Sequence, residues 1–253
     1  MKFLISPAKS LDFTTNHPNI PLSTPNFSDK AVRIMSVLKK KKPSDLAALM
    51  GISKSLSDLN NQRNQNFSAD PSPEVLRPAV MAFTGDVYQG LDAGTLSESL
   101  LSDLNDQGFI LSGLYGVLKP FDGIQPYRLE MGTKLPIGTK PNLVQYWKKP
   151  VTDFLRTQIK ADELLVNLAS QEYSAAVDFS VFTGPVVHPI FLDDSKGQLK
   201  VISFFAKKAR GLMVRYLVES KAQSLSDVCG FQSDGYRWSE SMSQDSLHPV
   251  FVR

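Results

Sequence analysis

The sequence predicts an α+β fold: a mixed β-sheet surrounded by helices, in a single domain over residues 1–253. Three observations carry this. Short apolar strand-like runs such as Leu164–Leu168 are interspersed with amphipathic helical stretches such as Asp29–Lys42, without a regular βαβ rhythm. No internal repeat and no clear linker divides the chain. A chain of 253 residues with 42% hydrophobic content can also bury a sizeable core.

The elements follow in order. Lys2–Ser6 reads as a buried strand ending at Pro7, and Asn16–Ser28 as a Pro-rich surface loop. Asp29–Lys42 is a helix with Val32, Met35 and Leu38 on one face and a lysine run at its C-terminal end, where cations also suit the helix dipole. Pro43-Ser44 breaks and caps it, and two short helical segments, Asp45–Met50 and Ser53–Gln62, flank Gly51. Pro73–Phe83 reads as a helix with proline at an early turn, Ser97–Asn105 as a polar helix and Phe109–Ser112 as a short strand. Asn142–Lys160 is helical, with Pro150 kinking it or starting a new helix. Leu164–Leu168 and Val186–Leu192 are strands, and Asp193–Gly197 is a turn. From Leu199 a β-rich run reads as a strand, with Leu199, Val201 and Ser203 alternating with Lys200, Ile202 and Phe204, before a helix runs on to Glu219. Cys229–Arg253 holds one or two short strands, around Tyr236 and Val250.

Composition excludes several classes. No apolar run approaches the roughly 18 residues of a membrane span, and the N-terminal apolar segment, interrupted by Pro7 and Lys9, is too short for a signal peptide, so a cytoplasmic protein is expected. A single cysteine, Cys229, allows no internal disulfide and no multi-cysteine zinc site. His17, His188 and His248 are scattered, no nucleophile–base–orienter trio is evident, and there is no P-loop or GxGxxG. No cofactor and no metal is expected. Asp193-Asp194 reads as part of the turn more simply than as a cation site.

Charge distribution says more than the net charge of +3. Lys30–Arg63 carries eight Lys or Arg against two Asp, and Lys200–Arg215 carries five basic residues and no acid. In the second stretch, Lys207, Lys208, Arg210 and Arg215 fall within about half of the helix circumference, while Ala209, Leu212, Met213 and Tyr216 face the other way. A face of one sign suits a polyanion; it also suits a solvated face or an anchor for carboxylates. Arg210-Gly211 points to close backbone packing.

Leu46–Leu59 has the shape of a helix-hairpin-helix, with Met50-Gly51-Ile52-Ser53 as the hairpin. Gly51 permits the tight turn, free amides at the next helix N-terminus can meet a DNA phosphate, and Lys54 adds charge. Ser53 stands where the motif usually has a second glycine, and an ordinary helix–Gly–helix turn would look similar. Ser6, Lys9 and Asp12, Asp86 and Tyr88, Tyr127, Arg128 and Glu130, and Asn167, Ser170, Glu172 and Tyr173 are polar groups in apolar or Gly-rich contexts. Polar residues just after buried strands often line a ligand site at a sheet edge. The alternative is a structural hydrogen-bond network, with Arg128 and Glu130 simply paired.

Taken together, SPAKSLDF (6–13), AFTGDVYQGLDA (82–93), LSGLYGVLKPFDGIQPYRLEMGTKL (111–135), NLASQEY (167–173), PIFLDD (189–194) and ISFFAKKARGLMVRYLVE (202–219) resemble the YaaA family of bacterial peroxide stress proteins. The resemblance spans nearly the whole chain in one order. It implies a cytoplasmic protein of the oxidative stress response that limits free intracellular iron and oxidative DNA damage. It also implies an unusual α+β fold that binds DNA through a basic cleft with a helix-hairpin-helix, which falls on residues 45–60 here.

The leading expectation is therefore a DNA-binding protein rather than an enzyme. Its partner is the phosphate backbone of double-stranded DNA, contacted by Lys39, Lys40, Lys41, Lys42, Gly51, Ser53, Lys54, Lys207, Lys208, Arg210 and Arg215 with little regard to sequence. The second reading is an enzyme acting on a nucleotide or another small anion, in a pocket using Lys9, Asp86, Arg128, Asn167, Glu172 and Lys207 or Lys208. A third is a protein-binding adaptor. A monomer is expected.

Overall fold

A computed structural model describes residues 1–253. Its central sheet has five strands, in the order Gly116–Leu118, Gly108–Ser112, Lys2–Ile5, Leu165–Leu168 and Val186–Val187. The middle three, and the pair with Val186–Val187, are parallel, with Phe3 opposite both Gly108 and Val166; only Gly116–Leu118 is antiparallel. These strands read as continuous apolar runs because both faces are covered, as parallel strands require. Phe3, Leu4, Phe109, Ile110, Leu111 and Val166 are fully buried.

The predicted mixed sheet is thus present, with helices around it. Four further strands form a second mixed sheet, ordered Gln198–Lys200, Ile190–Ser195, Val250–Val252 and Arg237–Ser239. The run predicted as one strand, Val186–Leu192, is divided between the two sheets at His188-Pro189, where proline has no N–H to continue a ladder. Two ribbons complete the β-structure: Ser10–Leu11 with Phe83–Thr84, and Arg77–Pro78 with Gly123–Ile124. One connected cluster of buried apolar side chains links the sheets and helices, and no helix is long and apolar enough to cross a membrane.

Three expected elements differ. Pro73–Phe83 is not one helix: a 3-10 turn (Pro73–Val75), the Arg77–Pro78 strand and a short helix (Ala79–Ala82) replace it. Pro78 pushes Arg77 out of the helical region, and buried Arg77 pairs with Ile124 and donates to Thr15 O. The first helix is Ser28–Leu38, so the lysine run lies beyond it in a turn. The strand from Leu199 is only Gln198–Lys200, and the long helix begins at Ser203. By contrast, Leu143–Gln158 continues through Pro150 as one helix.

The long helix Ser203–Glu219 crosses the short helix Asp86–Leu91 with backbone against backbone. A Cβ at Gly211 would sit 1.8 Å from Val87 O, and one at Gly90 would sit 2.2 Å from Lys208 O. The close packing expected of Gly211 is real, and its partner is Gly90. This crossing sets where Lys207 and Arg210 stand relative to Asp86.

Candidate functional site

The central sheet provides the scaffold. The chain leaves the Lys2–Ile5 strand toward Gly108–Ser112 on one side, and leaves Leu165–Leu168 toward Val186–Val187 on the other. A crevice opens where neighbouring parallel strands send their connections in opposite directions, and ligands of open α/β sheets bind there, at the C-terminal ends. Here a cavity of about 550 Å³ occupies that place, lined by Ser6, Lys9, Asp86, Ser170, Glu172, Lys207 and Arg210 among others.

Its floor is a polar seam. Ser6 follows the first strand and Ser170 the fourth. Ser170 N donates to Ser6 Oγ (2.8 Å), Ser6 Oγ donates to Ser170 Oγ (3.2 Å), and the buried Tyr88 hydroxyl donates to Ser6 O (3.1 Å). Burial pushes the Tyr88 phenol well above its usual range, so it remains a proton donor at neutral pH. The Ser10–Leu11 ribbon holds the Lys9 loop against Phe83–Thr84, and the next residues lead directly into Asp86. Glu172 Oε1 accepts from Gly132 N (2.9 Å) on the rim.

The charges divide unevenly. Glu130 pairs with both Lys9 (3.2 Å) and Arg128 (3.1 Å). Lys207 and Arg210, one helical turn apart, have no carboxylate partner. Arg210 is half-buried, and burial with no offsetting charge pulls its guanidinium below the usual arginine range. Two uncompensated cations on a cavity wall attract an anion from solution.

The sequence-derived residues fall into three groups. Lys9, Asp86, Glu172, Lys207 and Arg210 converge on the cavity. Asn167 and Arg128 do not line it: Asn167 accepts from Ala169 N (3.1 Å) and meets His188 Nδ1 (3.1 Å), while Arg128 is held by Glu130. Lys208 pairs with Asp234 (3.4 Å), and Arg215 is held by Leu91 O, Asp92 O, Thr95 Oγ1 and Glu219. The single-signed helix face seen in the sequence is therefore split in space.

The lysine run and the Gly51 turn lie elsewhere. Helix Pro43–Met50 ends at Gly51 in the left-handed region (φ 61°), and Ile52 N donates to Ala47 O. Only glycine adopts that conformation without strain. Ser53 caps the next helix, Lys54–Asn66, by accepting from Leu56 N (3.3 Å). The Lys39–Lys42 turn is clamped to that helix: Asn61 Nδ2 donates to Lys41 O (2.9 Å), Gln65 Nε2 to Lys39 O (2.8 Å) and Lys39 Nζ to Phe67 O (2.8 Å). Lys40, Lys41 and Lys42 have no carboxylate partner, and Lys54 pairs with Asp58 (2.9 Å) while remaining exposed.

Sequence reasoning missed two clusters. Lys30, Arg33, Lys140 and Lys149 surround a shallow pocket with only Asp153 to oppose them; Lys30 and Arg33 belong to the basic run of residues 30–63, but nothing local announced that Lys140 and Lys149 join them. His188 and His248 stack 5.3 Å apart at the seam of the two sheets, with Asp245 against His248 (2.9 Å).

Comparison with known proteins finds similarity along the length of the chain. The family model described as peroxide stress protein YaaA matches residues 1–242. Curated relatives include a UPF0246 protein of Flavobacterium johnsoniae, 50% identical over the whole of both chains, and one of Flavobacterium psychrophilum, 46% identical over the same extent. A UPF0246 protein of Marinomonas is 45% identical over all of this chain and 97% of its own length.

Proposed function

The chain belongs to the YaaA family of peroxide stress proteins, and from that premise we propose that it acts in the peroxide stress response by binding the phosphate backbone of double-stranded DNA. One observation carries the reading: the Lys39–Lys42 turn is fixed by three backbone-directed hydrogen bonds while Lys40, Lys41 and Lys42 stay without carboxylate partners. A rigid turn spends no further ordering on binding, so its cations are available to phosphates. Asn61, which clamps the turn, lies seven residues from Lys54, or about 10 Å along the helix. That is about three steps at 3.4 Å per phosphate along one strand. Gly51 and Ser53 shape the intervening corner, and Lys30, Arg33, Lys140 and Lys149 extend the cationic surface.

Such contacts position a duplex without reading bases. Shielding of DNA is the direct consequence. In this reading a lowering of free iron, which the family resemblance also brings, is an indirect effect of binding DNA.

Duplex affinity measured against salt tests this. With about five phosphates neutralised, log K falls against log salt with a slope of about −4 to −5. Replacing Lys40, Lys41 and Lys42 by Gln should flatten the slope by about 2.7, at about 0.9 per contact. A salt-independent affinity, or a wild-type slope in the triple variant, refutes the reading.

The cavity favours a second ligand class, because its size is that of a small molecule and its cations are separated from the lysine turn.

A further inference from the structure

We propose that the cavity at the strand ends is a phosphomonoester-binding site, with Arg210 and Lys207 holding the phosphate and Asp86 and Glu172 receiving the sugar hydroxyls. Inference starts from the charge count. Lys9, Arg128, Lys207 and Arg210 stand against Glu130, Asp86 and Glu172 in and beside the cavity, an excess of one positive charge. Glu130 is shared by Lys9 and Arg128, whereas Lys207 and Arg210 have no carboxylate within ion-pair distance and are the cations left open to a ligand. A half-buried guanidinium without a carboxylate is costly to leave unpaired, and its planar fork suits two phosphate oxygens at once.

The carboxylates decide which anion. Asp86 and Glu172 line the same cavity, and they repel an extended polyanion. A ligand with one terminal phosphate and a hydroxyl-bearing body satisfies both signs, because a carboxylate accepts hydrogen bonds from hydroxyl groups. About 550 Å³ is the size of a small-molecule site. The position agrees independently: Ser6 and Ser170, joined to each other, mark the point where the parallel strands send the chain to opposite sides.

Two sources share this chemistry, a free nucleoside monophosphate and the terminal phosphate of a nucleic-acid strand. The full-length protein should be titrated calorimetrically with deoxyadenosine 5′-monophosphate, with deoxyadenosine, and with duplexes that differ only in a 5′-phosphate or a 5′-hydroxyl end. The phosphate should improve affinity at least tenfold in the nucleoside pair, the duplex pair or both, and the arm that responds identifies the source. Arg210→Gln should remove that gain and Lys207→Gln should reduce it. Lys207 is exposed, so its variant tests the site even if loss of Arg210 impairs folding. The Lys40, Lys41 and Lys42 triple variant should keep the gain, which separates this site from the duplex-binding surface. Equal affinity with and without the phosphate in both pairs, or a full gain in folded Lys207→Gln and Arg210→Gln proteins, overturns the proposal.

Discussion

Gly211→Ala is the sharpest test of how the cavity is built. A helix interior ordinarily gains about 0.5–1 kcal/mol when glycine becomes alanine. Here the new methyl would sit 1.8 Å from Val87 O and 2.7 Å from Leu91 N. The first distance falls about 1.6 Å short of the 3.4 Å where ordinary contact begins. Neither atom belongs to a flexible side chain, so the helices Asp86–Leu91 and Ser203–Glu219 must separate. Overpacking of this kind costs about 1–3 kcal/mol, and the rigid backbone contact puts Gly211 at the upper end. Net of the helix gain, the loss is about 2–2.5 kcal/mol. For a chain of this length that lowers the melting midpoint by about 4–10 °C.

Thermal melting read by circular dichroism measures the effect, with Gly94→Ala as the control, since a Cβ at Gly94 meets nothing within 4 Å. Gly90→Ala should behave like Gly211→Ala, because its Cβ would meet Lys208 O at 2.2 Å across the same crossing. The double variant should cost less than the sum, as one separation relieves both clashes. A Gly211→Ala protein as stable as the Gly94→Ala control refutes the reasoning.

Two further predictions concern charge inside the fold. Burial, and then the charge of Lys2, pull the Lys119 ammonium down to about 8 from its ordinary 10.5, so between those values the unfolded chain holds a proton that the folded chain has released. Stability should rise with pH across that window relative to Lys119→Met, and below it the two profiles should run parallel; denaturant midpoints at matched pH would show parallel profiles throughout if Lys119 were solvated. In the second sheet, buried Asp193 is held by Arg253 (2.6 Å) and by the Tyr236 hydroxyl (2.7 Å). Arg253→Ala should cost about 2–4 kcal/mol, somewhat under the loss of a fully buried partner because Arg253 is partly exposed, and adding Asp193→Asn should recover part of it; no recovery in urea melts would mean that the ion pair is not what stabilises this corner.

Much of the fold was legible because its signals are local. The runs KFLI, GFILS and LVNL are mostly apolar, with Lys2, Ser112 and Asn167 as their polar members, as suits doubly covered strands, and they form the heart of the central sheet. Gly51 and Gly211 announced a tight turn and a close crossing. What was hidden depended on distant partners. Pro189 marks a break in Val186–Leu192, but nothing in the order of residues assigns the two halves to different sheets, and nothing in the helical wheel of residues 207–215 reveals that Asp234 captures Lys208 while Leu91, Asp92 and Thr95 capture Arg215. Asn167 was drawn toward the pocket by its place in a strand, but its carbonyl oxygen serves Ala169 N and its amide meets His188. Pocket residues that did converge share one property: each lies within a few positions of a strand end or on the helix that crosses it.

The division of the basic helix face bears on how this protein meets anions. In the proposed duplex contact, the lysines of the Lys39–Lys42 turn would act through counterion release, so their contribution would weaken steeply as salt rises. Lys207 and Arg210 stand instead on the wall of a cavity with low-dielectric sides, where screening reaches less. On these proposals the basic residues divide between a salt-sensitive outer surface offered to a long polyanion and an inner site offered to one phosphate group. The carboxylates Asp86 and Glu172 would keep the two roles apart, because they penalise an extended backbone at the place where a terminal phosphate is welcome.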